Sequence, residues 1–207
     1  MIQHIKQVMV CRPQQFVFYE GHPVLAVYVL CEGRLKLTRS SIKGQQRVVK
    51  IVEPGQIVEW HIYQDSPTHH ATAETLEASR ICVIDRVSFL NLLERDGQLA
   101  IHMLKLMSQE RVAALSCEDR LAFSSARERI AALLDNLATR YGTLTKDGVE
   151  ITLLLKREDL AQMASLTIET TVRVLKELEA NQVIRLLGRT ITIRQRERLQ
   201  GEMRAVC

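Results

Sequence analysis

KREDLAQMASLTIETTVRVLKELEANQVIRLLGRTITI, residues 156–193, packs four structural elements into one short stretch. Thr167 is a good helix N-cap, and the run IETTVRVLKELEA after it keeps helical spacing to its end. Thr171, Val174, Leu175 and Leu178 recur at 3, 1 and 3, the spacing of a buried stripe. Ile168, Glu169, Val172, Arg173 and Lys176 share the other side, which has no core to enter. Before it, KREDLAQMA predicts a shorter helix with Leu160, Met163 and Ala164 inward. Glu158 and Asp159 fall in its first turn, where the helix dipole favours acids. A turn over Ser165–Thr167 joins the two helices. After them, VIRLL and TITIR flank Gly188 and Arg189, and the alternation of Thr190, Ile191, Thr192 and Ile193 predicts a half-buried strand. The chain should therefore close a small hairpin with Arg189 at its tip.

Helix, turn, helix and hairpin in that order make a winged helix-turn-helix, and the outer face of the second helix has the chemistry of a base reader. Arginine donates to guanine O6 and N7, glutamate accepts from cytosine N4, and apolar side chains meet thymine methyls. A purely structural helix has no reason to leave Ile168 and Val172 beside Glu169 and Arg173 on its outer face. The expected partner is double-stranded DNA. The expected contacts are Thr167, Ile168, Glu169, Thr170, Val172, Arg173 and Lys176 on the helix, with Arg189 of the wing towards a phosphate.

Length and composition agree. The chain has 207 residues and is 46% apolar, enough for two small cores. Its net charge is only +4, but from Arg185 to Arg204 six arginines face two acids, Glu197 and Glu202. A basic surface there favours phosphate binding and makes it salt dependent; the alternative is a solvated C-terminal helix. No apolar run approaches the roughly 20 residues of a membrane span, and MIQHIKQVMVCRP at the N-terminus lacks the apolar core and cleavage site of a signal peptide. A cytoplasmic protein with no membrane partner is expected. Cysteines 11, 31, 82, 117 and 207 show no paired spacing, and an odd count points to free thiols. Cys31 and Cys82 sit in strand-like runs and are expected in the core. The chain lacks Gly-x-Ser-x-Gly, a phosphate-binding Gly-Lys-Ser/Thr loop and His-Glu-x-x-His, so it is not expected to be an enzyme. A non-DNA reading remains open: a ligand-binding module whose C-terminal domain serves as a protein-protein platform.

With Glu169 and, four residues on, Arg173 in its second helix, the chain resembles the CRP/FNR family of bacterial transcription regulators. FVFYEGHPVLAVYVLCEGRLKLTR, with Gly21, Gly33 and later Gly55 between short strands, looks like the start of that family's β-roll. LAFSSARERIAALLDNLA, residues 121–138, looks like the hinge and first helix of its DNA-binding domain. The resemblance implies an α+β fold in three parts. They are a double-stranded β-helix, the cyclic-nucleotide-binding-like jelly roll, over 1–95; a long dimerisation helix over 96–122; and the winged helix-turn-helix over 123–207. It also implies a homodimer that reads an inverted repeat with TGA-containing half-sites and works with RNA polymerase. Leu104, Met107, Arg111, Ala114, Glu118 and Leu121 recur at alternating 3 and 4 as a heptad seam interrupted by an Arg and a Glu; alternatively the seam shifts to Val112 and Leu115.

The sensing chemistry departs from the family's cyclic AMP pattern, a Gly-Glu-Leu turn followed on the next strand by Arg-Ser. Val58, Glu59, Trp60 and His61 stand at the first place, and Thr68, His69, His70 and Ala71 at the second. The guanidinium fork for a phosphate is missing, so cyclic AMP is not expected. An iron-sulfur cluster is not expected either, because only Cys11 lies near the N-terminus. The family's haem-dependent carbon monoxide sensor has a Cys and a His two apart after the glycine matching Gly55. In GQIVEWHI here, His61 matches that His and Glu59 stands where the Cys would be. The candidate effector pocket is thus Glu59, Trp60, His61, His69 and His70. The open possibilities are a haem or metal on its histidines, with His61 as haem-ligand candidate, solvated loop histidines in a degenerate pocket, thiol oxidation at Cys11 or Cys117, an unrecognised ligand, or none.

Overall fold

The computed structural model describes residues 6–59, 62 and 65–203, with backbone alone at 6 and 116–123. The chain divides into two compact units, one running to Val112 and the other starting at Ala113. The first unit is built from short alternating strands: β1 (Lys6–Cys11), β2 (Phe16–Phe18), β3 (Ala26–Glu32), β4 (Leu35–Ser40), β5 (Gln46–Val52), β6 (Thr72–Thr75) and β7 (Ser79–Asp85). They pair antiparallel into two sheets, ordered β1-β7-β3 and β2-β6-β4-β5. Cys11, Phe18, Leu30, Leu35, Leu37, Val52, Ala73 and Ile81 form one continuous buried cluster drawn from both sheets. Gly33 turns β3 into β4 at φ +86°, and a Cβ there would lie 2.5 Å from the carbonyl of Ala78, so only glycine fits the corner.

Cys82 is buried as expected, but Cys31 is exposed. The pairing of β3 with β7 slips between Leu30 and Glu32, so Leu30 keeps the interior position while Cys31 falls in a bulge at the strand end. Burial raises the Cys11 thiol above its ordinary value, which suits a packing role.

After β7 come α1 (Arg86–Arg95) and the long α2 (Gly97–Phe123). Asp85 caps α1 by accepting from Ser88 N–H, a bond that holds its carboxyl below the usual value. A second cluster joins Val24, Val27, Ile57 and Ile62 to Phe89 and Leu93 of α1 and Met103 of α2. Lys50 of β5 pairs with Glu110 of α2, on the same face as Met103.

The second unit holds α3 (Ala126–Tyr141), β8 (Gly142–Thr145), β9 (Gly148–Ile151), α4 (Arg157–Ala164), α5 (Ile168–Ala180), β10 (Ile184–Leu187), β11 (Thr190–Ile193) and α6 (Arg196–Gly201). Ser125 opens α3 with a capping box: its Oγ accepts from Glu128 N–H at 3.3 Å, and the Glu128 carboxylate accepts from Ser125 N–H at 2.6 Å. The wing is wider than the predicted hairpin. It belongs to a four-stranded sheet, β10-β11-β9-β8, in which Ile191 pairs with Ile151 and Thr192 with Glu150. Being central, β11 buries Thr192 as well as Ile191 and Ile193.

The basic C-terminal stretch turns out to be structural in good part. Arg196 Nε donates to Asp135 Oδ1 at 2.8 Å, and Arg185 pairs with Asp147 at 3.0 Å. Arg127 at the start of α3 donates to Glu202 at 2.6 and 2.9 Å and to Glu177 of α5 at 3.1 Å, tying three helices together. The bond from Arg127 holds the Glu202 carboxyl below the ordinary 4.5 despite some desolvation. A depressed carboxylate contributes stability that is fully present above its unfolded pKa and is lost as pH falls through its folded value. Glu202→Gln should therefore destabilise the second unit at pH 7 by less than about 1 kcal/mol, given the partial exposure, and lower its melting temperature accordingly. Melting curves of the two proteins should converge as the pH drops below the carboxylate range; a constant gap would assign the loss to packing.

Candidate nucleic-acid interface

The helix pair forms as its sequence requires. Asp159 accepts from Lys156 N–H at 2.9 Å and closes the first turn of α4, which buries Leu160, Ala161 and Ala164 and leaves Met163 only half-buried. Ser165 then adopts the left-handed conformation at φ +53°, and Leu166 N–H returns to Ala161 carbonyl at 2.9 Å. Thr167 starts α5, its Oγ1 accepting from Thr170 N–H at 3.1 Å. Arg129 of α3 braces the turn from behind, Nη1 donating to the carbonyls of Ala164 and Ser165 at 3.4 and 3.3 Å.

On α5 the buried residues are Thr171, Val174, Leu175 and Leu178, the stripe expected from spacing. Ile168 is 50% exposed, and Glu169, Arg173 and Lys176 are exposed, with Thr170 and Val172 half-buried beside them. Among the described residues Glu169, Arg173 and Lys176 make no side-chain hydrogen bond or ion pair, whereas Glu177 and Glu179 of the same helix are both engaged. Arg189 is exposed in the turn between β10 and β11, after Gly188 at φ +59°. The structure thus leaves all eight expected residues of the second unit exposed or half-buried, none of them in its core. Sequence reasoning missed Arg127, Arg129 and Glu179, which hold the helices in place; their partners lie 7 to 75 positions away, so no local pattern marks them. It also missed the β8–β9 hairpin, for which Asp147-Gly148 between alternating residues was the available signal.

Along α2, Ile101, Leu104, Val112 and Leu115 are exposed by 56, 65, 61 and 44% and share one face. Arg111 and Ala114 are exposed as well, while Met107 is half-buried and flanks the inward Met103. The exposed apolar face therefore runs through Val112 and Leu115, the alternative seam. Glu118 and Leu121 lie where side chains are outside the described set.

In the first unit, the expected effector residues Trp60 and His61 lie outside the described residues. Glu59, His69 and His70 do come together. Glu59 Oε2 is 2.6 Å from His69 Nδ1, and Glu59 Oε1 accepts from His70 N–H at 2.6 Å. His69 is not a solvated loop histidine: its side chain is 2% exposed and stacks on Phe18, ring centroids 3.7 Å apart, with Tyr28 at 6.0 Å. Backbone bonds pin it on both sides, to His22 carbonyl and from Gly21 N–H at 2.8 Å each. Among the described residues no three His, Cys, Asp or Glu side chains are arranged to hold a metal ion, and no helix is long and apolar enough to cross a membrane.

Residues 8–96 match the family described as the cyclic nucleotide-binding domain, and residues 128–202 the Crp-like helix-turn-helix domain. The chain is 28% identical over 185 residues to the regulatory protein HlyX of Actinobacillus pleuropneumoniae, covering 89% of this chain and 77% of that protein. It is 29% identical over 181 residues to the cyclic AMP receptor protein of Thermus thermophilus, covering 86% and 80%. The fold superposes on the structure of FixK2 from Bradyrhizobium japonicum with a TM-score of 0.82 at 23% identity, over 98% of this chain and 100% of that one. With a sensing β-roll ahead of a helix-turn-helix domain, the chain belongs to the CRP/FNR family of transcription regulators, DNA-binding proteins rather than enzymes.

Proposed function

We propose that this regulator is a cytoplasmic homodimer that reads an inverted repeat with TGA-containing half-sites through Glu169 and Arg173, and works together with RNA polymerase. The observation that carries the reading is the free outer face of α5, where Glu169, Arg173 and Lys176 stay unpaired among the described residues while neighbouring charges are bonded. Side chains left with unused donors and acceptors at a rigid, exposed helix start suit base edges in the major groove. Arg173 meets the half-site guanine, Glu169 the cytosine paired with it, and Ile168 or Val172 a flanking thymine methyl. Thr167, Thr170, Lys176 and Arg189 serve the phosphates and set the register.

Dimerisation is supported by the apolar face of α2, because Ile101, Leu104, Val112 and Leu115 gain most by burial against the same face of a second copy. Two recognition helices about 34 Å apart then meet successive major grooves.

The relative from Thermus thermophilus is named for cyclic AMP. The roll of this chain does not take that ligand in our reading. Thr68, His69, His70 and Ala71 stand where the pattern has its phosphate-gripping arginine; of these His69 is buried against Phe18, and Glu59 is bonded to His69 and His70. The roll then answers to another signal or is a retained scaffold.

Three outcomes follow. Arg173→Ala should weaken operator binding by about 1 to 3 kcal/mol and relax selectivity at the half-site guanine; an unchanged base preference in binding-site selection would rule out the assignment. Leu115→Glu should convert the dimer to monomer in sedimentation and lose affinity for the two-half-site duplex; a variant that remains dimeric would place the seam elsewhere. Saturating cyclic AMP should leave the operator binding curve unmoved, and a tightening curve would refute the reading of the pocket.

A further inference from the structure

Two charged side chains, one from each helix of the helix-turn-helix, converge on the wing. Glu179, in the last turn of α5, accepts from Leu186 N–H at 2.9 Å. Arg157, the first residue of α4, donates from Nη2 to the carbonyl of Gly188 at 2.9 Å. The two anchored backbone groups lie two residues apart at the end of β10, and the second immediately precedes Arg189. Arg157 is half-buried, and its Nη1 is buried with no hydrogen-bond partner among the described residues. Desolvation lowers its pKa, against the opposing charge of Glu179.

A guanidinium in that position is a poor device for stability alone. Its desolvation is offset by one carbonyl and one nearby carboxylate, with a donor left unused, and an apolar chain of similar length would be neutral or better. Its gain is geometric, because a planar fork fixes the distance between the helix start and the carbonyl it holds. We propose that Arg157 is a positioning residue that locks the wing turn to the first helix, so that Arg189 meets a DNA phosphate at a fixed offset from the base-reading face of α5. The role in DNA binding rests on the reading given under Proposed function; the lock itself does not. The wing and the recognition helix then act as one rigid reader, with Glu179 holding the strand and Arg157 the turn.

The test uses the full chain and a duplex carrying the inverted repeat. In the free protein, R157M should speed amide hydrogen exchange at residues 187–190 while the melting temperature stays level or rises; unchanged exchange there overturns the lock. On DNA, R157M should weaken binding roughly three- to tenfold and flatten its salt dependence without altering preference at the half-site guanine. It should add little to R189A, since both remove the same phosphate contact; fully additive losses overturn the positioning role. If R157M does not fold, R157Q carries the same comparisons. Faster wing exchange in a protein that binds no duplex would uphold the lock and refute the DNA reading, which keeps the two failures apart.

Discussion

The burial of Thr171, Val174, Leu175 and Leu178 of α5 against α3 and α4 is the constraint from which the rest of the second unit follows. A helix rotates freely about its axis until one stripe is packed. Once these four residues enter the core, Ile168, Glu169, Arg173 and Lys176 have only the outer side left to them. The left-handed Ser165 and the Thr167 cap fix where the helix begins, so its first turn projects clear of the turn before it. Function here depends on what a side chain is denied as much as on what it touches.

Charge in the second unit separates into two populations. Arg127, Arg185 and Arg196 are bonded to carboxylates and hold helix to helix or strand to strand. Such partly exposed pairs contribute little energy one at a time, but bridging α3, α5 and α6 they restrict the angle between elements. Arg173 and Arg189 have no such partner among the described residues and stand on the outer surface. A positive net charge by itself says nothing of this division, which decides where phosphates and bases can be met.

The first unit shows the same economy of polar groups. Glu59 and His69 would be costly inside a β-roll, and each satisfies the other, with the His70 amide completing the carboxylate and Phe18 covering the ring. The interior of the roll therefore holds an ion-pair-capable couple of its own at the place where the family pattern keeps ligand-binding groups.

Much of this was legible in the sequence. The stripe of α5, the Thr167 cap, the acids at the start of α4 and the glycine at the wing turn all follow from period, capping and backbone freedom, which act over a few residues. What only the tertiary structure decided were the pairings over distance. Cys31 left the core because a β-bulge shifted its register, which strand alternation alone does not reveal. His69 turned inward because Glu59, ten positions back, was there to meet it. The exposed apolar face of α2 runs through Val112 and Leu115, with Met107 half-buried beside it, because Met103 and Glu110 commit the opposite face to the roll. Arg157, the first residue of α4, holds a carbonyl 31 positions further along the chain. Sequence periodicity determines which face of an element can be buried, while the partner that buries it is set by packing between segments whose separation along the chain leaves no local trace.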